Sequence, residues 1–174
     1  MTLTHLIAVR HGESEGNVAR EVALAEQAEV IPIGLRDPDV PLTARGREQA
    51  VAVGRWLATE GEAPAAVWSS PYVRARQTAE LALAEARRTE PIRLDERLRD
   101  RELGVLDRLT KPGIERRFPD EAQRRRWLGK LYYRPPGGES WADVALRLRS
   151  FLLDLDRQPA AGPVLVFAHD AVIM

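Results

Sequence analysis

Three short apolar runs constrain this chain more than any other feature: LIAV at 6–9, AVW at 66–68 and VLVFA at 164–168. Each has the length and apolar character of a buried strand, and each stops on residues that carry chemistry. The first ends on Arg10 and His11, the second on Ser69 and Ser70, the third on His169. Gly12 permits a sharp turn where a side chain would obstruct one. Segments of helical period separate the runs, a pattern that predicts βαβ units and a parallel sheet covered on both faces. In open α/β sheets ligands bind beyond the carboxyl ends of the strands, where these side chains would gather. Taken alone, the first run could equally be a strand that happens to end in Arg-His.

The intervening segments read as helices. Residues 15–28 form a polar and alanine-rich one, and 43–59 a second that begins at Thr43 and turns Ala50, Val53 and Leu57 to one face. Residues 71–87 give a third, with Pro71 as first helical residue behind a serine cap. Arg74 then lies in its first turn, where a guanidinium joins free amides and the positive end of the helix dipole to make an anion site. Arg76 reads as an ordinary surface arginine. A strand is expected at 92–94, short helices within 110–130, and a loop at the PPGG of 135–138. Ser140 caps a last long helix, with Asp143 completing the box and Trp141, Val144, Leu148, Phe151, Leu152 and Leu155 as its buried stripe. The expected fold is α/β, a three-layer, mostly parallel sheet with helices on both faces, in one domain.

Composition narrows the function. The 174 residues are 44% hydrophobic, enough for one core. The 26 basic and 26 acidic residues cancel, which argues against nucleic acid as a partner. Cysteine is absent and the histidines are His5, His11 and His169 alone, so neither a disulfide framework nor a thiolate metal site can form, and no metal or other cofactor is expected. Met1 to Val9 lacks a basic n-region and no apolar stretch approaches a bilayer span, so no membrane partner and a cytoplasmic location are expected. The arginine-rich tract 116–126 is interrupted by Asp120 and Glu121 and reads as a solvated helix face.

With RHGESEGN, DVPLTARGREQA, SSPYVRARQTA, PGGESWADVALR and VFAHD in this order, the chain resembles the histidine phosphatase superfamily, the phosphoglycerate-mutase-like family. The resemblance covers nearly the whole chain and implies a phosphoglycerate-mutase-like fold. It also implies that His11 is the phosphorylated nucleophile, that Arg10, Arg74 and His169 bind the phosphoryl oxygens, and that Ser14 and Asn17 line the pocket. A carboxylate would protonate the leaving group and later activate water. Aligning Leu98 and Gly104 with the family pattern places Asp100 at that acid position, where glutamate is commoner; Glu102 is the alternative. Arg10 and Arg74 would also disfavour a charged imidazolium, keeping His11 neutral for attack.

The expected substrate is a small phosphorylated molecule. Residues 18–41 form a longer connection than a glycolytic mutase would need, which favours a phosphatase over a mutase; a non-catalytic phosphate-binding module is a third reading. The segment WLGKLYYRPP at 127–136 offers aromatic and basic side chains to cover the pocket, although core packing accounts for Trp127 equally well. The chain stops five residues after His169, where the resemblance implies a further helix, so it reads as truncated, with apolar sheet surface that a second copy, as a homodimer, could cover.

Overall fold

A computed structural model describes residues 5–59, 63–157 and 162–173. Four strands, β1 (Leu6–Arg10), β2 (Ala66–Ser69), β3 (Ile92–Leu94) and β4 (Val164–Ala168), form one sheet in the order β1-β4-β2-β3. Every pairing is parallel. The helices are α1 (Glu15–Ala25), α2 (Ala44–Thr59), α3 (Val73–Glu85), α4 (Lys111–Arg117), α5 (Pro119–Tyr132), α6 (Trp141–Asp156) and α7 (Asp170–Ile173). The opening of a helix after His169 is therefore present through Ile173, and Met174 lies outside the described residues.

The core sits on both faces of the central strand, every residue of which is buried. Leu165 and Phe167 point one way and pack with Val67, Leu57 of α2, and Ala79, Ala82 and Leu83 of α3. Val164, Val166 and Ala168 point the other way, onto Leu98 and onto Phe151 and Leu155 of α6. This is the continuous apolar run of a strand covered on both sides. β1 departs from the expectation of a buried strand. It pairs with β4 at the edge of the sheet, and only Ile7 and Val9 join the core while Leu6 and Ala8 alternate to an exposed face.

Helix limits differ from the sequence reading at identifiable residues. α1 stops at Ala25 because Gln27 takes a left-handed conformation (φ 54°), and α3 stops at Glu85 because Arg87 does the same (φ 53°). α3 also starts later than expected. Tyr72 stands at its N-cap position with no side-chain cap, and Pro71 remains in the preceding turn. Along α6, Val144, Phe151 and Leu155 are buried as the period predicts, whereas Leu152 sits at the margin of the stripe and is exposed.

The RHG turn is seated against α2 by a glycine pair. A Cβ on Gly12 would collide with the Gly46 carbonyl oxygen, and one on Gly46 with the Glu13 carbonyl oxygen. Thr43 closes the arrangement: its N–H donates to the Glu13 carbonyl (3.0 Å) and its Oγ1 accepts from the Gly46 N–H (3.0 Å). Gly46→Ala should therefore cost about 1–3 kcal/mol, the usual range for overpacking a tight contact, and should weaken inorganic phosphate binding by displacing the turn. Chemical denaturation and phosphate titration of the two proteins check both parts.

Candidate active site

The carboxyl ends of the strands carry the site. His11 extends the β1–β4 ladder, its N–H donating to the Ala168 carbonyl (2.9 Å), which fixes it beside His169. The two rings meet edge to face with centroids 5.1 Å apart. Gly12 N–H donates to Thr78 Oγ1 (3.1 Å), whose own hydroxyl donates back to the Arg74 carbonyl (2.7 Å). One turn of α3 thus registers the RHG turn against Arg74.

His11 is buried, and its Nδ1 lies 2.7 Å from the Gly12 carbonyl oxygen. A carbonyl can only accept, so the proton occupies Nδ1 and Nε2 keeps its lone pair. Burial lowers the His11 pKa to about 4; the Gly12 bond opposes the shift, and Arg74 adds to it. The imidazole is therefore neutral and nucleophilic at neutral pH.

His169 is completely buried. Its Nε2 is 2.8 Å from Ser70 Oγ, and its Nδ1 is 3.4 Å from an Asp100 carboxylate oxygen. The Asp100 carboxylate beside Nδ1 favours the proton there, so Ser70 Oγ, which accepts the Tyr72 N–H (3.2 Å), donates its own hydrogen to Nε2. Burial pushes the pKa of this ring strongly down, with Arg74 adding to the effect. Ser70 was expected to help cap α3; instead it orients His169.

Arg74 is buried in the first turn of α3 and is gripped from two directions. Its Nη1 donates to the Asp37 carbonyl (2.6 Å) and its Nη2 to the carboxylates of Asp37 (3.2 Å) and Asp100 (3.1 Å). Burial raises the Asp37 pKa, and Arg74 opposes that rise. Arg10 lies at the mouth, its side chain half exposed and 3.8 Å from Asp170.

The remaining expected residues divide. Ser14 and Asn17 line the same cleft but form the α1 capping box, Ser14 Oγ accepting the Asn17 N–H (3.2 Å) and Asn17 Oδ1 accepting the Ser14 N–H (2.9 Å). Asp100 is brought against Arg74 and His169. Glu102 is exposed, and its Oε1 accepts the Gly104 N–H (3.1 Å). Trp127 is 83% exposed and takes part in neither the core nor this cleft, contrary to both readings of it. Among the described residues no group of three or more His, Asp or Glu side chains is placed to hold a metal.

Three contributors were missed in the sequence. Asp37 belongs to a 3₁₀ turn (Asp37–Asp39) within a stretch read only as a long connection. Glu139 and Arg147 support the acid loop: Arg147 donates to the Arg97 and Asp100 carbonyls (2.5 and 3.2 Å) and to Glu139 (2.9 Å). Glu139 also accepts the Glu102 N–H (3.1 Å) and an Arg99 N–H (2.7 Å). The PGGES motif was visible, but its glutamate points to no partner until the loop 96–102 is folded over α6.

The cleft encloses about 550 Å³. Its apolar wall comes from Leu24, Ile31, Ile33 and Leu35, and Arg101, Arg125, Lys130, Tyr133 and Trp141 also line it. The apolar wall is pinned by Glu29, which accepts from Arg116 and from Arg117 (2.8 Å), and by the Ile31 N–H on the Arg108 carbonyl (2.8 Å). The tract 116–126 is thus not wholly a solvated face, since Arg116 and Arg117 clasp this wall and Arg125 faces the cleft.

Comparison with known proteins places this geometry. Residues 6–174 match the histidine phosphatase superfamily, branch 1. A 2,3-bisphosphoglycerate-dependent phosphoglycerate mutase of Methylobacterium radiotolerans is 37% identical over 167 residues, covering 94% of this chain and 73% of the mutase. A 6-phosphofructo-2-kinase/fructose-2,6-bisphosphatase of Caenorhabditis elegans is 34% identical over 164 residues, covering 94% of this chain but 31% of that larger protein. The structure of a mycobacterial glucosyl-3-phosphoglycerate phosphatase superposes with a TM-score of 0.74 at 30% identity, covering 97% of this chain and 74% of that one. With its four-stranded parallel sheet and with the two histidines and Arg74 gathered at the strand ends, the chain belongs to the histidine phosphatase superfamily.

Proposed function

We propose that this chain hydrolyses small phosphomonoesters through a phosphohistidine at His11. The observation that carries the reading is the free Nε2 of a neutral His11, set by the Gly12 carbonyl, beside Arg74 and His169. A monoester dianion needs its oxygens neutralised, an in-line nucleophile and a proton for the departing alkoxide. Arg10, Arg74 and His169 supply the donors. His11 Nε2 attacks phosphorus and the ester P–O bond breaks. The dianion's demand on Arg74 releases Asp100 from its ion pair, and the freed carboxyl takes up a proton from solvent. Asp100 gives this proton to the alkoxide, then takes one from the water that attacks the P–N bond. The 37% identity to a mutase supports a second reading, in which an alcohol rather than water accepts the phosphoryl group.

Turnover of an aryl phosphate, compared with interconversion of phosphoglycerates, tests the choice. Hydrolysis is expected to be the faster; faster interconversion would select the mutase reading, and phosphate binding without either reaction would mean a non-catalytic module. Rapid quenching during hydrolysis should leave an acid-labile, base-stable phosphoryl group on the peptide that contains His11, and His11→Asn should abolish it.

Asp100→Asn should slow hydrolysis of alkyl phosphates by roughly 10²- to 10⁴-fold, the usual contribution of a positioned general acid. The loss should shrink for p-nitrophenyl phosphate, whose leaving group needs little protonation. Glu102→Gln should show no such dependence on leaving group, and steady-state rates on both substrates decide the matter.

The histidines also predict a pH effect on stability. His11 titrates near 4 when folded and near the ordinary 6.5 when unfolded, and burial moves His169 in the same direction. Between these values the unfolded chain binds more protons, so stability should be full above about pH 7 and fall as pH drops toward 4. Melting temperatures across this window measure the slope, and His169→Asn should flatten it.

A further inference from the structure

Arg74 carries one positive charge and faces two carboxylates. Asp37 meets both terminal nitrogens at once. Nη1 donates to the Asp37 carbonyl (2.6 Å) and lies 3.0 Å from one of its carboxylate oxygens, while Nη2 donates to the other (3.2 Å). Asp100 also accepts from Nη2 (3.1 Å). A carboxylate that spans the two nitrogens takes up the fork with which a guanidinium grips a phosphoryl group. Little positive charge is left over nearby: Arg10 lies near Asp170, and burial keeps both imidazoles neutral. To be held on both nitrogens of Arg74, a phosphoryl dianion must first displace a carboxylate.

The two carboxylates are anchored differently. Asp100 Oδ1 accepts the Arg101 N–H (2.9 Å) and the Asp100 carbonyl accepts from Arg147 (3.2 Å), so this residue keeps its place when its contact with Arg74 is given up. Asp37 belongs to a 3₁₀ turn without a buried residue, braced by the surface ion pair of Arg36 with Asp39, and its side chain is 45% exposed. Rotation of that side chain alone turns the carboxylate into water, while the Asp37 carbonyl keeps its hold on Nη1. We infer that Asp37 is an internal stand-in for the phosphoryl group: its carboxylate holds the Arg74 fork until substrate arrives, gives way to the incoming dianion, and returns to expel inorganic phosphate after hydrolysis. This rests on the phosphomonoester reading of the His11 site and adds to it a positioning residue, acting through Arg74, that sets how tightly substrate and product are held.

Inorganic phosphate is the probe, its binding followed by calorimetry on the wild-type protein, Asp37→Asn and Asp37→Glu. Removing the competing charge in Asp37→Asn should tighten phosphate about tenfold or more, as the loss of one charge-assisted competitor allows. Asp37→Glu keeps the charge and should stay near the wild-type affinity. With p-nitrophenyl phosphate, KM and the inhibition constant of phosphate should fall together in Asp37→Asn, with no gain in kcat. Before phosphate is added the same variant should melt below wild type, because Arg74 has lost a partner. A carboxylate that merely braced Arg74 would lower the melting temperature too, but its loss would weaken phosphate binding and raise KM; unchanged or weaker binding in Asp37→Asn overturns the exchange. A crystal structure of the wild-type protein with phosphate decides the matter without any variant. The Asp37 carboxylate should stand beyond about 4 Å from Arg74, the limit of an ion pair, and finding it still across the fork beside bound phosphate removes the proposal. If Asp37→Asn tightens phosphate yet no phosphomonoester is turned over, the exchange stands and the hydrolase reading falls. Turnover without tightening removes the exchange alone, and phosphate bound by none of the three proteins removes both.

Discussion

A guanidinium taken out of water must find its charge answered, and the architecture of this site follows from how that is done at Arg74. The side chain is only 5% exposed, and isolated burial of such an ion would be prohibitive. Its partners arrive from separate parts of the chain: Asp37 from the connection between α1 and α2, and Asp100 from the loop after β3. Meeting the charge thus draws two loops onto the start of α3. The same Asp100 oxygen that pairs with Arg74 faces His169 at the end of β4, so one carboxylate couples the helix, the loop and the central strand. A bound phosphoryl group would compete for those N–H groups, and this competition gives the proposed acid both its position and its release.

The fold was largely legible because its signals are local and periodic. The run 164–168 reads as a doubly buried strand and is one; Ser140 with Asp143 reads as a capping box and forms one. The long helices needed only their apolar spacing. The errors arose where a residue's neighbours in space decide its state. LIAV has the same character as VLVFA, yet it lies at the sheet edge, and no periodicity distinguishes an edge strand from a central one. Serine followed by proline is a sound helix-start signal, but the hydroxyl of Ser70 is claimed by Tyr72 and His169, and the helix begins two residues beyond Pro71.

The site divides along the same line. His11, Arg74 and His169 were readable because they sit at strand ends and a helix start, positions that topology brings together in any parallel α/β sheet. Asp37, Glu139 and Arg147 were not, since each acts across a long sequence separation: 37 residues from Asp37 to Arg74, and 47 from the Asp100 carbonyl to Arg147. Asp100 and Glu102 are two residues apart on one charged loop. Their environments separate them only after Arg147 and Glu139 have set the loop's backbone.

Two kinds of construction meet in this cleft, and they differ in stiffness. The strand-end side of the cleft is framed by backbone ladders, buried glycine contacts and the nearly inaccessible side chains of His11, Arg74 and His169. The apolar wall around Ile31 hangs instead on Glu29, gripped by Arg116 and Arg117, whose side chains are 75% and 50% exposed. Ion pairs of that kind are screened by ions and bathed in water. The aperture of the cleft is consequently its soft dimension. Its width can follow the molecule it admits, while the spacing of the two imidazoles and the Arg74 guanidinium stays fixed.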